Sequence, residues 1–518
     1  LKDNYMYMRR RGFIFAGVGL IGAIASNDQS KRAISNFFQL PSEPDLNKSL
    51  ATNATQVVNS FDYLKQLPAP SFKQGHTLPP LTRFGWTLPF ETRVELADRW
   101  GYALEWGGYA TPKTVAKAIS SPQSVQAKIM ALAASDPKKY QLAVILNRAL
   151  PNTPEAIWLH NNQGELVTAK NGKKIWSPEA PVVALEAAAK MRAEPLQQIS
   201  KIAPIAVVLN GGEYGLGVAG HISSFCEQDP RVVAAKGNRS WFDYISDRKA
   251  YQESFITKSV RKIVPNRSIY VYYPTDSNPH RNRSSGWKQW CYDYKYMRSV
   301  SDYPNSSTYF KEFNTGWTGN TDILTQVLNS VGQQIQFGDP LSYNWVCSGW
   351  IRGKKPVFGE IERYIGFLKC YYTAGMIGGI AGYFDYPNQG FAALFDVNQP
   401  PNWLEQIIAL ARVHALFSHL EEYLRHGNLL PGPMKHIWSS DTPAYEFPTQ
   451  DPNIRVLVRQ HRQKNHWLIT AWAASGNTKQ VNVTIPQLGQ ISVIARPNGS
   501  VYTANIAVNK AILTWVDQ

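Results

Sequence analysis

Short strand-like and helix-like segments alternate along residues 81–425, and this alternation constrains the fold of the chain more than any other feature of its sequence. Eight segments are short and mostly apolar, as buried strands are, and amphipathic stretches separate several of them. The predicted strands are 81–86, 101–106, 141–146, 205–210, 268–273, 342–347, 356–360 and 379–384. The predicted helices are 90–100, 114–134, 182–202, 321–334 and 403–425.

This alternation predicts an α/β fold in which helices cover a parallel sheet. Eight strands favour a (β/α)8 TIM barrel over residues 81–442, with functional residues at the carboxyl ends of its strands. A doubly wound sheet is the alternative, but no glycine-rich phosphate-binding fingerprint follows the first strand. Segment 151–181 is predicted to be a functional loop, because loops of that length are uncommon inside compact domains.

From about Pro443 the pattern changes to the two-residue alternation of β-structure. This pattern predicts a small C-terminal β-sandwich over 443–518. Its expected strands are 455–458, 467–472, 481–485, 491–495 and 511–516. Residues 26–80 form a polar, proline-containing lead segment before the predicted barrel.

Residues 1–25 have the layout of a signal peptide. Arg9, Arg10 and Arg11 precede an uncharged stretch that ends in Ala23-Ile24-Ala25, a small-x-small cleavage pattern. The arginines followed by Gly12-Phe13-Ile14 also resemble the twin-arginine export signal. We therefore expect a periplasmic or secreted protein with no membrane insertion after cleavage. An uncleaved membrane tether is the alternative.

Two glutamates follow predicted strands on opposite sides of the expected barrel. Glu213 follows the fourth strand in Asn210-Gly211-Gly212-Glu213-Tyr214, and Glu360 ends the seventh in Val357-Phe358-Gly359-Glu360. Glycoside hydrolysis needs two carboxyl groups, one protonated and one ionised, flanking the bond that breaks. The two glutamates are therefore the predicted catalytic pair.

In these two motifs the chain resembles the retaining glycoside hydrolases of clan A, which include β-galactosidases and agarases. The resemblance implies that Glu213 is the general acid/base and Glu360 the nucleophile of a double displacement that needs no cofactor. In that clan an Asn stands directly before the acid/base, whereas Gly211 and Gly212 separate Asn210 from Glu213 here. Asn210 is a predicted sugar ligand, and Glu362 is a rival nucleophile.

Aromatic residues accumulate near the ends of the predicted strands, where ring faces can stack on sugars. Core packing is the alternative for each ring taken singly. They are Trp86, Trp106, Tyr109, Tyr214, Tyr273, Trp345, Trp350, Tyr383 and Tyr386.

Segment 272–298, after the fifth predicted strand, interleaves basic residues with aromatic ones; His280 and Arg281 lie in it. Guanidinium groups and rings together suit a sulfated or carboxylated sugar. They would also suit single-stranded nucleic acid, but an exported protein seldom meets it. With a net charge of +16, these features favour oligosaccharides of an anionic or sulfated galactan such as agar or carrageenan.

Other chemistries have little support in the sequence. The four cysteines contain no C-x-x-C pair and are expected to be buried thiols, and the ten histidines contain no H-E-x-x-H. Neither a Gly-x-Ser-x-Gly nucleophile elbow nor a phosphate-binding loop occurs. We therefore expect no metal and no cofactor. The rival to a glycosidase is a non-catalytic carbohydrate-binding protein on a degenerate barrel.

Overall fold

The structure is a computed structural model of the chain. It describes residues 57–72, 75, 77–83, 88–146, 154–168, 172, 174–211, 223–264, 269–273, 293–310, 323–338, 341–352, 355–358, 360–381, 394–396, 403–437, 439–508 and 510–518.

The strands of the first part of the chain are β1 (Val57–Asn59), β2 (Thr82–Arg83), β3 (Leu104–Ala110), β4 (Leu142–Leu146), β5 (Ile205–Gly211), β6 (Ile269–Tyr273), β7 (Ser307–Tyr309), β8 (Ser342–Cys347), β9 (Gly349–Arg352), β10 (Lys355–Phe358), β11 (Met376–Ala381) and β12 (Leu394–Asp396). The later strands are β13 (Gly427–Leu429), β14 (Lys435–His436), β15 (Ser439–Pro443), β16 (Ile454–His461), β17 (His466–Ala473), β18 (Lys479–Ile485), β19 (Gly489–Ala495), β20 (Ser500–Ala507) and β21 (Lys510–Trp515).

The helices are α1 (Ser60–Gln66), α2 (Phe90–Arg99), α3 (Pro112–Ser120), α4 (Val125–Ser135), α5 (Val182–Ser200), α6 (Ser223–Cys226), α7 (Pro230–Lys236), α8 (Trp241–Arg261), α9 (Tyr294–Met297), α10 (Ile323–Gln336), α11 (Ile361–Thr373), α12 (Trp403–His419) and α13 (Glu421–His426). No helix among these residues is long and apolar enough to cross a bilayer.

Eight strands are parallel and are arranged in two four-stranded sheets, which confirms the predicted α/β class. One sheet has the order β3-β4-β5-β6 and the other β2-β11-β8-β7. Ile380 of β11 is in register with Thr82 of β2, so the last parallel strand pairs with the first. A parallel bridge from Leu81 to Tyr102 links the starts of β2 and β3. A closed ring would need one more pairing, β6 with β7, which is not found among the described residues.

The strand count differs from the sequence prediction in one place. The segment predicted as the seventh strand forms β10, which pairs antiparallel with β9 in a hairpin outside both parallel sheets. The missing parallel strand is β7, only three residues long and not predicted. The strand predicted as the sixth, 342–347, is therefore seventh in the parallel series.

Side chains of the parallel strands alternate between two buried layers. Leu142, Val144 and Leu146 of β4 cluster with apolar residues of α4, α5 and α8. Ala143 and Ile145 belong instead to a cluster that contains residues from β5, β8 and β11. Successive strand residues point to opposite faces of the sheet. One buried layer therefore packs against the helices, and the other lies on the opposite face, where residues from several strands meet.

Local signals explain where the predicted long helix 114–134 divides. The first part, α3, starts with Pro112 at its first turn and a capping box between Thr111 and Thr114. Pro122, which has no backbone N–H, follows the end of α3. Ser124 then caps α4 by accepting a hydrogen bond from the Ala127 amide, so the segment forms two helices.

The C-terminal part of the chain is antiparallel β-structure in two layers, as predicted. A five-stranded sheet has the order β13-β16-β17-β20-β21, and β18 pairs with β19. Val483 and Val493 of that hairpin share a buried cluster with Val456 and Ile469 of the sheet. Strand β20 was not predicted, and β13 joins this sheet at Gly427, before the predicted boundary at residue 443.

Candidate active site at the carboxyl ends of the parallel strands

Parallel strands that lie side by side end at the same edge, and in α/β folds that edge carries the functional residues. The last strand residues here are Arg83, Ala110, Leu146, Gly211, Tyr273, Tyr309, Cys347 and Ala381. Several predicted site residues lie in the connections beyond these ends, outside the described residues. They are Trp86, Glu213, Tyr214, His280, Arg281, Tyr383 and Tyr386.

Strand β5 leads directly to the first predicted catalytic residue. It is fourth in the parallel series and ends at Gly211, two residues before Glu213. Asn210, one residue earlier, is completely buried. Its Oδ1 accepts a hydrogen bond from Arg192 Nη2 at 3.1 Å, and its Nδ2 donates to Glu253 Oε2 at 3.2 Å.

These contacts place the Asn210 amide between β5 and the helices α5 and α8, which carry Arg192 and Glu253. Asn210 was predicted to be a sugar ligand, and in the structure its amide contacts two helices. The physical reason is the strand alternation: Leu209 belongs to the inner cluster, so its neighbour faces the helices.

Glu360 lies immediately before α11, with its side chain 76% exposed. Its Oε2 accepts a hydrogen bond at 2.9 Å from Nε of Arg363, and Nη1 of that arginine donates at 2.8 Å to the Ala474 carbonyl. The hairpin β9–β10 separates Glu360 from the end of β8. Glu360 is thus on the connection after the seventh parallel strand, although not at a strand end, and Glu362 is exposed in the first turn of α11.

The predicted aromatic residues are found in different environments. Trp345 is 5% exposed, and its ring meets Tyr309 edge-on with centroids 4.5 Å apart, so it packs within the core. Trp106 is buried in the helix-facing cluster. Tyr273 and Trp350 lie on β6 and β9, and their side chains are outside the described residues.

A buried ion pair that the sequence analysis missed joins the first two parallel strands. Arg83 Nη2 lies 2.8 Å from Glu105 Oε2, with side-chain exposures of 1% and 3%. Arg93 of α2 donates through Nη1 to the Glu105 carbonyl oxygen at 2.8 Å. Burial raises the pKa of Glu105 to about 7, and the two guanidinium groups oppose that rise. A signal existed: Glu105 is a lone acid between Leu104 and Trp106 in an apolar strand.

Tyr343 connects three parallel strands beside this pair. Its hydroxyl donates to the Pro80 carbonyl at 2.7 Å and lies 3.2 Å from Thr82 Oγ1. Thr82 Oγ1 in turn donates to the Gly379 carbonyl of β11 at 3.0 Å. Desolvation raises the pKa of Tyr343, so its hydroxyl stays protonated and continues to donate. Tyr343 and Thr82 therefore link β2, β8 and β11 through fixed polar contacts.

Within the described parts of the chain, no three His, Cys, Asp or Glu side chains come together as they would around a metal ion. Cys226, Cys347 and Cys370 are buried, as predicted, and Cys291 lies outside the described ranges.

No family model matches the chain, and no curated protein is significantly similar to it. Among solved structures, it is similar to an α-amylase from Anoxybacillus, with 10% identity, a TM-score of 0.42 and coverage of 73% of this chain and 79% of that one. Trehalose-6-phosphate hydrolase from Bacillus licheniformis has 10% identity, a TM-score of 0.41 and coverage of 84% and 99%. The α-galactosidase AgaA from Geobacillus stearothermophilus has 12% identity, a TM-score of 0.39 and coverage of 88% and 58%.

Proposed function

We propose that the chain is a retaining glycoside hydrolase in which the eight parallel strands close into a (β/α)8 barrel, with Glu213 as general acid/base and Glu360 as nucleophile. One observation carries the proposal: β5, the fourth parallel strand, ends two residues before Glu213, and Glu360 lies on the connection after the seventh. Both carboxyl groups thus belong to connections that leave the same edge of the parallel strands.

The proposed reaction is a double displacement on a β-glycoside. Glu360 attacks the anomeric carbon while Glu213 gives its proton to the leaving oxygen, and a glycosyl–enzyme ester forms. Glu213 then takes a proton from water as the water breaks that ester, and both carboxyl groups return to their first state. This mechanism requires the two carboxyl groups to come within about 5 to 5.5 Å of each other.

The surroundings of Glu360 are compatible with attack on an external substrate. Arg363 Nε binds Oε2, and the side chain is mostly exposed, so among the described residues Oε1 has no hydrogen-bond donor and can meet an incoming sugar. The guanidinium group also offsets the negative charge of the carboxylate and restricts its rotation. Such exposure suits a carboxylate that receives its substrate from solvent.

The proposed substrates are oligosaccharides from an anionic or sulfated galactan, processed after export of the protein. The net charge of +16 supports an acidic glycan, as does the basic and aromatic composition of 272–298. The signal-like residues 1–25 support export to the periplasm or the medium.

The test is hydrolysis of sulfated and desulfated galactan oligosaccharides by the wild type and by Glu213→Gln, Glu360→Gln and Glu362→Gln. Glu362→Gln tests the rival nucleophile, because it removes the same charge from an exposed carboxylate two residues after Glu360. We expect the first two variants to lose at least about a thousandfold in kcat and Glu362→Gln to keep its activity. NMR of the first product should show retained β configuration.

Activity in Glu360→Gln together with loss in Glu362→Gln would transfer the nucleophile role to Glu362. Binding of the oligosaccharides without any product, unchanged in Glu213→Gln, would favour the carbohydrate-binding protein instead.

A further inference from the structure

Helix α11 begins at the residue after Glu360 and presents one face to the C-terminal β-structure. Four of its residues contact that structure at spacings of three and four, which places them on one side of a helix. They are Arg363, Gly366, Lys369 and Thr373.

The contact at Gly366 is a close approach between helix and sheet. A Cβ at this position would lie 2.3 Å from atoms of the Trp472 ring and 2.4 Å from the Pro497 carbonyl oxygen. Trp472 is 2% exposed, and its Nε1 donates to that same carbonyl at 2.9 Å. The absence of a side chain at residue 366 therefore lets the helix backbone reach the sheet.

Polar contacts continue the row toward the carboxyl end of α11. Lys369 Nζ lies 2.5 Å from Asp517 Oδ2 and donates to the Gly499 carbonyl at 2.9 Å. Thr373 Oγ1 lies 2.6 Å from Thr470 Oγ1 of β17. Because both members of the ion pair are less than 10% exposed, this part of the row is largely shielded from water.

Arg363 is the first residue of this row and the one that also holds Glu360. Its guanidinium group donates to the Glu360 carboxylate and to the Ala474 carbonyl, which follows the last residue of β17. We propose that Arg363 is a positioning residue through which the docked C-terminal sheet fixes the carboxylate of Glu360. This inference rests on the proposed function, since it concerns the orientation of the proposed nucleophile.

The two anchors distinguish Arg363 from an ordinary surface ion pair. An exposed pair between neighbouring helical residues contributes little, because both side chains remain free to move. Here the second donor is bound to the main-chain carbonyl of Ala474, the residue that directly follows β17 of the sheet. A fixed guanidinium leaves the carboxylate fewer orientations, and orientation of a nucleophile affects kcat more than substrate affinity.

The experiment compares Arg363→Ala, Arg363→Lys and Lys479→Ala in the full chain. Lys479 is a matched control, because it forms an exposed ion pair with Asp451 at 2.9 Å elsewhere in the C-terminal β-structure. Steady-state hydrolysis of the galactan panel gives kcat and KM, hydrogen–deuterium exchange of residues 361–368 reports on the start of α11, and thermal unfolding gives Tm.

We expect Arg363→Ala to lower kcat about tenfold with KM within about twofold of the wild type and Tm nearly unchanged. Exchange in 361–368 should become faster. Arg363→Lys should restore part of kcat. A lysine ammonium can replace one of the two arginine donors, but it cannot bind the Glu360 carboxylate and the Ala474 carbonyl as the guanidinium does. Lys479→Ala should match the wild type in all three measurements.

Wild-type kcat in Arg363→Ala overturns the inference, and so does unchanged exchange in 361–368. A wild-type protein without hydrolytic activity, or an active Glu360→Gln, refutes the proposed function instead. In that case the exchange measurement still decides whether Arg363 holds the start of α11 to the sheet.

Discussion

Arg83 and Glu105 form an ion pair across β2 and β3, with Nη2 and Oε2 2.8 Å apart and both side chains almost fully removed from water. Burying two charges costs free energy that their attraction does not always return. The pKa of Glu105, raised to about 7 chiefly by desolvation, indicates that the cost prevails at this site. A polar pair inside the strand layer is thus a source of pH-dependent stability.

We predict that the carboxyl group of Glu105 makes the protein less stable as the pH rises from about 4.5 to 7. The folded state binds the Glu105 proton more tightly than the unfolded state, so the stabilising contribution is complete below the unfolded pKa and is lost as the pH reaches the folded pKa. Between pH 5 and pH 8 the wild type should lose roughly 2 to 3 kcal/mol relative to Glu105→Gln. Urea unfolding of both proteins at the two pH values measures this difference. Equal changes in the two proteins would contradict the prediction.

Arg459 leads to a second prediction, because its buried guanidinium binds only backbone carbonyls among the described residues. It donates to the carbonyls of Thr373, Tyr423, Leu424 and Gly427, which joins the ends of α11 and α13 to β16. Desolvation lowers its pKa to about 10, so it still carries its charge at neutral pH.

Arg459→Met should lower the free energy of unfolding by about 3 to 5 kcal/mol, because four carbonyls lose their donor. Arg459→Lys should be less damaging, since an ammonium group can satisfy some but not all of them. Chemical denaturation gives both values. A methionine variant as stable as the wild type would show that the four bonds contribute no net stability.

A third prediction concerns the contact between α11 and the C-terminal sheet. Gly366→Ala should lower the free energy of unfolding by about 1 to 3 kcal/mol, because its Cβ would lie 2.3 Å from the Trp472 ring. Gly332→Ala in α10 is the matched control: its nearest neighbour is Cγ2 of Thr442 at 3.1 Å, a side-chain atom. Helix propensity favours alanine at both positions, and the smaller overlap at Gly332 should make the control less destabilising than Gly366→Ala. Thermal unfolding of the two variants separates the effects, and equal Tm values would refute the steric explanation.

The Asn210 amide gives a fourth prediction. Asn210→Asp would place a carboxylate where Nδ2 now donates to Glu253 Oε2 at 3.2 Å, and two buried carboxylates repel each other. We expect a loss of about 2 to 3 kcal/mol in the free energy of unfolding and partial recovery in Asn210→Asp/Glu253→Gln. Urea unfolding of the single and double variants tests this, and additive losses would show that the two residues are not coupled.

The fold was largely predictable from the sequence, because the spacing of apolar residues indicates which positions are buried. Short runs of buried positions in turn indicate the strands. Apolar runs such as 142–146 and 342–347 are parallel strands, as predicted. β7 was missed because three residues carry too little pattern, and β10 was assigned to the parallel series because Pro356-Val-Phe resembles a buried strand in composition. Whether such a segment pairs with a parallel neighbour or folds into a hairpin depends on tertiary contacts.

The candidate site was less predictable than the fold. The motif around Glu360 indicated a carboxylate after the seventh parallel strand, and the structure has one there, although the strand assignment behind the prediction was wrong. The roles of Asn210 and Trp345 depend on which face of a strand each occupies, and a shift of one residue reverses that face. The ion pair of Arg83 with Glu105 joins residues from two strands. The sequence around either residue does not indicate which residue is its partner.

The pairing of β2 with β11 also constrains how the chain can acquire its structure. Thr82 cannot meet Ile380 until nearly 300 further residues have left the ribosome, so the edge of β2 stays uncovered throughout that interval. Contacts this distant in sequence slow folding, and an uncovered strand edge can pair with other chains meanwhile. In fragments that stop before residue 376, the edge of β2 that pairs with β11 would stay uncovered. In the nascent chain, chaperones would have to shield this edge until β11 emerges.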